Sequence, residues 1–316
     1  MQACLAEQAL LFPPIGFCRQ HPPREAEISC FRLLSIFIRQ FPYNRSPSGK
    51  RTAPADMTVP LVELRNVTVV RGENLALHGV SVRIEQGEHL CILGPNGSGK
   101  STLIKTLTRE CYPVAREDSG IRILGKERWN IFELRSLLGI VSPDLLAACT
   151  TDATGLDVVL SGFFSSTRIF PNHRPLAEHR ERAEAALARL RIVHLAKRPV
   201  SKMSSGEAKR TLIARALAHA PRTLLFDEPG NALDIAGQVE LRETMRELAQ
   251  AGLGILLVTH HVSEIIPEIE RVVLLQGGQI VADGAKQSVL TENRLSGLFR
   301  VPVRLFREDG YFYAHA

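Results

Sequence analysis

The chain has 316 residues, enough for one large domain or two modest ones, and either can bury a full core. Its composition, 45% hydrophobic and 23% charged, is that of an ordinary globular protein, and no apolar run approaches the roughly 20 residues that span a bilayer as a helix. The net charge of +6 comes from scattered arginines rather than a Lys/Arg block, so no firm nucleic-acid partner follows; the six cysteines show no CxxC spacing, which fits a reducing compartment and excludes an obvious zinc site.

Residues 1–56 read as a disordered extension, because Pro13-Pro14, Pro22-Pro23, Pro42 and the Ser/Pro/Gly/Lys stretch from Ser46 to Pro54 break any long element. Phe31, Leu34 and Ile38 repeat at helical spacing between Arg32 and Arg39, as in a short cationic surface helix, although so short a helix is marginal alone. The early apolar run lacks a basic leader and is interrupted by paired prolines, which speaks against a secretory signal. Met57 stands as an alternative start, since residues 57–316 read as a self-contained unit.

From Leu61 the chain becomes regular. Leu61–Val70 and Gly79–Ile84 alternate apolar and polar positions around Arg71-Gly72-Glu73-Asn74, predicting an antiparallel hairpin. The run Leu90-Cys91-Ile92-Leu93 predicts a buried strand, and Leu103, Ile104 and Leu107 predict a helix. Between them lies Gly94-Pro95-Asn96-Gly97-Ser98-Gly99-Lys100-Ser101-Thr102. Glycines there let successive N–H groups converge on a polyphosphate, and the following helix directs its positive end at the same anion. Lys100 is placed to reach the β- and γ-phosphates of a nucleotide, and Ser101 to offer its hydroxyl to Mg²⁺.

Ile121–Leu124 and Gly139–Val141 read as further short strands, and helical patterns dominate from Asp157 to about Arg215. Two continuous apolar runs follow, Thr223–Phe226 and Ile255–Val258, with the character of buried parallel strands. The first ends at Asp227-Glu228-Pro229. An acidic residue there lies at the crevice where such sheets bind ligands, which suits Asp227 to the Mg²⁺ shell and Glu228 to polarising an attacking water. The second ends at Thr259-His260-His261: His260 is placed to hydrogen-bond a γ-phosphate, and His261 to open a solvated helix. Asp309-Gly310, between Val303–Phe306 and Tyr311–Tyr313, predicts a terminal hairpin turn.

Met203-Ser204-Ser205-Gly206-Glu207 precedes a helix whose apolar face carries Leu212, Ile213, Ala216 and Leu217. With the loop, the Asp227-Glu228 pair and His260 in this order, the chain resembles the ATP-binding cassette (ABC) ATPases, whose signature is usually Leu-Ser-Gly-Gly-Gln. The resemblance spans residues 59–290. It implies an α/β fold: a P-loop NTPase core with a mixed sheet, an N-terminal antiparallel β-subdomain, and an inserted helical signature subdomain at about 142–215, the whole cassette occupying 57–316. It further implies a head-to-tail homodimer around two ATP. In that dimer Ser204, Ser205, Gly206 and Glu207 face the γ-phosphate bound by the other subunit, and Asn231–Asp234 forms the loop through which the sites communicate.

The chain departs from the family in three places. The signature has Ser205 for glycine and Glu207 for glutamine. Pro143 stands where a glutamine normally contacts Mg²⁺, leaving Ser142 or Asp144 as substitutes, with Asp144 open between a Mg²⁺ role and a solvated loop. Where an aromatic usually lies under adenine there is Arg71, open between a stacking guanidinium and a plain surface turn. Within the family, Val158–Phe164 and Val258–Leu275 are similar to an importer branch related to molybdate-uptake ATPases, some of them linked to photorepair. The expected protein is a Mg²⁺-dependent ATPase subunit that is cytoplasmic, at the inner face of the cell membrane, and drives a multi-span permease. The alternative is a cassette ATPase with a regulatory or nucleic-acid-associated role and no transporter. If Met57 is the start, mass determination on the natural protein will find no peptides from residues 1–50; their detection would remove that reading.

Overall fold

Successive side chains on a strand point to opposite faces, and in this protein that rule divides the interior into two cores. The computed structural model describes residues 59–130, 133–134 and 137–316. The expected extension over 1–56, its Phe31–Ile38 segment and the Met57 alternative lie outside the described residues.

Strands β1 (Val62–Arg71) and β2 (Asn74–Ile84) form the expected hairpin around Gly72-Glu73, but β2 begins at Asn74 rather than Gly79. Asn74, Ala76 and His78 carry little strand preference, so pairing with β1 rather than propensity makes this segment a strand. Strand β3 (His89–Leu93) leads through the glycine-rich loop to helix α1 (Lys100–Leu107). Strand β4 (Gly120–Ile123) returns to pair antiparallel with β1, giving a three-stranded sheet in the order β2-β1-β4.

Strand β5 (Leu138–Val141) is followed by a helical stretch: α2 (Pro143–Cys149), α3 (Gly155–Ser161), α4 (Ala177–Arg189) and α5 (Ser205–Leu217). Then come β6 (Thr223–Asp227), α6 (Ile235–Gln250), β7 (Gly254–Thr259), β8 (Arg271–Gln276) and β9 (Gln279–Ala285). Two short helices, α7 (Lys286–Val289) and α8 (Glu292–Phe299), precede the hairpin β10 (Arg304–Glu308) and β11 (Tyr311–His315). Its turn residues Asp309 and Gly310 both have positive φ, as a two-residue turn matching strand twist requires.

The main sheet has six strands in the order β5-β6-β7-β3-β8-β9, with β9 alone antiparallel to its neighbour. Leu90, Ile92, Leu225, Leu256, Val258 and Val273 point to one face and pack with α1 and the three-stranded sheet. Cys91, Leu93, Leu224, Phe226, Ile255 and Leu257 point to the other and pack with the helical stretch and the C-terminal elements. Both faces are covered, which is why these strands read as continuous apolar runs. The entire helical stretch is inserted between β5 and β6, which are sheet neighbours.

Phe226 is fully buried on a strand flanked on both sides. Phe226→Ala is expected to destabilise the protein by about 3–5 kcal/mol. Denaturant unfolding of the two proteins checks this, and a loss below about 1 kcal/mol would contradict the packing described.

Candidate active site

The C-terminal ends of three consecutive sheet strands, β6, β7 and β3, carry Asp227-Glu228, His260 and the glycine-rich loop respectively. The loop leaves β3 with the N–H of Gly94 donating to the carbonyl of Thr259 at 3.2 Å. A Cβ at Gly94 would lie 2.3 Å from the backbone oxygen of Leu275, so no side chain fits. Gly99, the residue before α1, has φ +104, a conformation that strains any other residue, and its own Cβ would meet Ala76 O at 2.6 Å. These two constraints turn the chain so that the first N–H groups of α1 face outward at the crevice.

Lys100 opens α1 and is only 4% exposed. Its ammonium donates to Gly94 O at 2.9 Å and Pro95 O at 3.1 Å, and lies 3.3 Å from Glu228 Oε1. Within the loop, Asn96 and Gly97 are exposed, Ser98 is buried, and Ser98 Oγ has no hydrogen-bond partner. Ser101 is exposed on α1, and Thr102 is buried.

Glu228 has φ +43, which is uncommon for a side-chain-bearing residue and is held by its N–H donating to Val258 O at 2.8 Å. Asn231 Nδ2 donates to Glu228 Oε2 at 2.6 Å. Burial pushes the Glu228 carboxyl up, but the Asn231 hydrogen bond and the charges of Lys100 and His260 outweigh it, and its pKa lies below the ordinary value. His260 Nδ1 sits 3.3 Å from Glu228 Oε1 without the alignment of a hydrogen bond. Beside it, Asp227 is pushed up to about 6 by burial and by the Glu228 charge, with Lys100 opposing. Its Oδ1 is buried without a partner.

Lys100, Asp227, Glu228, His260 and the loop Gly94–Thr102 are therefore brought together. Arg71, Ser204–Glu207 and Asp234 are not in direct contact with that cluster through any hydrogen bond or ion pair among the described residues. Arg71 ends β1 opposite Asn74, exposed, beside the half-exposed cross-strand pair Val70 and Leu75. Ser204 caps α5: Ser204 N donates to Glu207 Oε2 at 2.8 Å and Glu207 N to Ser204 Oγ at 3.2 Å. This reciprocal cap accepts glutamate or glutamine alike, which accounts for Glu207. Ser205 sits exposed in the first turn. Asp234 caps α6, its Oδ1 accepting from Gly237 N at 2.8 Å. His261 is exposed at the start of a single 3₁₀ turn rather than of a longer helix.

Where the family has a glutamine and this chain has Pro143, the backbone starts a helix. Ser142 caps α2 by accepting from Leu145 N at 3.3 Å, and Pro143 takes the first helical position, where a missing N–H costs nothing. Asp144 is largely exposed and pairs with Lys105 of α1 at 3.1 Å. Asn231, expected only as part of the loop between sites, and Lys209, with no expected role, prove close to the site. Asn231 holds Glu228, and Lys209 donates to the carbonyls of Pro229 and Asn231. Lys209 was legible in principle, since it shares the apolar stripe of α5 with Leu212 and Ile213.

The family model described as ABC transporter matches residues 77–231. A Bacillus subtilis (strain 168) protein, the uncharacterized ABC transporter ATP-binding protein YlmA, is 31% identical over 262 residues, covering 81% of this chain and 97% of that protein. The chain belongs to the ABC transporter ATP-binding family. The hemin import ATP-binding protein HmuV of Roseobacter denitrificans is 32% identical over 254 residues, covering 77% of this chain and 92% of its own. Among solved structures, the ATP-binding cassette MJ0796, in a dimeric post-hydrolysis state bound to ADP and Pi, is similar with a TM-score of 0.59 at 27% identity, covering 71% of this chain and 98% of that one. As a member of this family, the cassette binds and hydrolyses ATP.

The orphaned Asp227 Oδ1 and Ser98 Oγ, and the absence of room for a Cβ at Gly94, fit a bound polyphosphate and its cation. Without that cation, Asp227 and Glu228 are adjacent acids sharing one ammonium. Asp227→Asn is expected to raise the melting temperature of the nucleotide-free protein near neutral pH by about 2–4 °C, the shift of about 1 kcal/mol in a domain of this size, while losing Mg²⁺-dependent turnover. A lower melting temperature with turnover intact would contradict this account of the site.

Proposed function

We propose that this cassette is the motor of an importer, closing head to tail with a second copy around two ATP and opening on hydrolysis to move a multi-span membrane permease. The observation that carries it is the Glu228 carboxylate, ionised and held between Lys100, Asn231 and His260 beside the unpartnered Asp227. The dimeric MJ0796 cassette and the hemin-import relative support the assembly and the direction of transport. No helix among the described residues is long and apolar enough to cross a membrane; in this reading the permease is a separate chain. The working place is the cytoplasmic, inner face of the cell membrane. Val158–Phe164 and Val258–Leu275 support a position near the molybdate-uptake and photorepair-related branch.

In this reading the N–H groups of Gly94–Thr102 and the Lys100 ammonium bind the β- and γ-phosphates, Lys100 exchanging loop carbonyls for phosphate oxygens. Ser101 and Asp227 would hold Mg²⁺, which when bound would supply positive charge beside the phosphate oxygens. Glu228 accepts a proton from water as the water oxygen bonds the γ-phosphorus and the bond to the β–γ bridging oxygen breaks, giving ADP and phosphate. His260 hydrogen-bonds the departing phosphoryl group. The exposed cap of α5, with Ser204, Ser205, Gly206 and Glu207, offers helix N–H groups to the γ-phosphate of the partner subunit, and Asp234 holds the loop between the sites. Arg71 stacks on the base.

Glu228→Gln is expected to retain ATP binding, lose about a hundredfold or more of turnover, and accumulate an ATP-dependent dimer visible by light scattering. Turnover at the parental rate would remove Glu228 as the base. Lys100→Ala should lose nucleotide binding, and Arg71→Ala should weaken it; unchanged affinity in Arg71→Ala would remove the stacking role.

A further inference from the structure

Lys209 sits one helical turn beyond Ser205, on the inward stripe of α5, and is 7% exposed. A buried ammonium is tolerated only where it is hydrogen-bonded. Its partners are the carbonyls of Pro229 and Asn231, on either side of Gly230 in the loop that follows Glu228. Arg210, the next residue, instead forms a surface pair with Glu240 of α6 at 3.4 Å.

The loop is gripped from the other side as well. A Cβ on Gly230 would lie 2.0 Å from Glu264 Oε1, so the backbone at Gly230 is pressed directly against that carboxyl group. Glu264 is 5% exposed, and its Oε2 accepts from Thr259 Oγ1 at 2.6 Å. Thr259 immediately precedes His260. The 229–231 segment thus lies between Lys209 and the Glu264–Thr259 pair, and the Asn231 side chain holds Glu228 Oε2.

We propose that Lys209 is a positioning residue that ties the phosphate-facing end of α5 to Glu228, through the backbone of Pro229–Asn231 and the side chain of Asn231. This rests on the head-to-tail reading, in which Ser204–Gly206 engage the γ-phosphate held by the other subunit. A helix turn is stiff, and Lys209 lies about 6 Å along the axis from Ser205. Displacement of the cap when it meets phosphate therefore moves the ammonium, and with it the two carbonyls. The Asn231 amide then sets the direction of the Glu228 carboxylate. Glu228 becomes correctly aimed only when the α5 of its own subunit has met the partner's nucleotide, which links hydrolysis at one site to occupancy of the other.

The test is ATP turnover by the full chain, with four variants: Lys209→Met, Lys209→Gln, Asn231→Ala and the Lys209→Met/Asn231→Ala double. Lys209→Met keeps length and apolar packing. Its kcat is expected to fall by about tenfold with KM within about threefold, since positioning acts on the chemical step. Lys209→Gln, which keeps an N–H donor, should recover part of the loss. The double variant should turn over no more slowly than the worse single, because both act along one path. In a Glu228→Gln background, Lys209→Met should still form the ATP-dependent dimer. Wild-type kcat in Lys209→Met, or losses that multiply in the double variant, would overturn the link. Should Lys209→Met fail to fold, Lys209→Gln decides: reduced kcat at unchanged KM supports the link, and wild-type kcat overturns it. A wild-type chain that shows neither turnover nor an ATP-dependent dimer would overturn the functional reading itself, and this link with it.

Discussion

Lys100 and Glu228 approach to 3.3 Å because the strands that deliver them are held one strand apart in a sheet buried on both faces. Everything at the site follows from that spacing. Strand β7 lies between them and releases Thr259 and His260 into the same crevice. The result is one buried ammonium facing two adjacent, partly buried acids, where an isolated charge is costly and pairing is strengthened. The two acids resolve the conflict differently. Glu228 gains a hydrogen bond from Asn231 and the nearby Lys100 ammonium, which hold its carboxyl below the ordinary value, whereas Asp227, with an unpartnered oxygen, is pushed up to about 6. One carboxylate is held in its charged form in the crevice, and the other keeps an oxygen free for a cation.

The cap proposed to act on a partner's nucleotide stands apart from this cluster. The cap of α5 is exposed at Ser204 and Ser205, and no hydrogen bond or ion pair among the described residues joins Ser204–Glu207 to the phosphate loop. Helix N-termini attract anions through unpaired donors and aligned peptide dipoles. In the proposed head-to-tail pair, this exposed cap is the part that meets the nucleotide of the second copy. Lys209 is then informative because it breaks the apolar stripe of its own helix to reach the loop carrying Asn231.

The family departures reduce to local physics. Glu207 and glutamine complete the same reciprocal cap, so the exchange is nearly neutral. Pro143 and Ser142 are committed to starting α2, and Asp144 pairs with Lys105, the charges of both acting on Asp227. Whatever passes nucleotide state to the helical stretch here does not use a glutamine at that position.

The local elements were legible in the residues because their causes are local. Glycines force the turn at Gly94–Gly99, continuous apolar runs mark strands covered on both faces, and a serine with a glutamate three residues on marks the start of α5. The order of motifs along the chain was enough to place the protein among the cassette ATPases. What sequence could not decide was which strand ends meet, since sheet order depends on long-range packing: β3 sits between β7 and β8, far from both along the chain. The segment Asn74–His78 became a strand through pairing alone. The grip of Asn231 on Glu228, the burial of Lys209 against Pro229 and Asn231, and the pairing of Asp144 with Lys105 likewise arise only when separate elements are packed together. A hydrogen-bond partner is chosen by geometry in space, and only the folded chain supplies it.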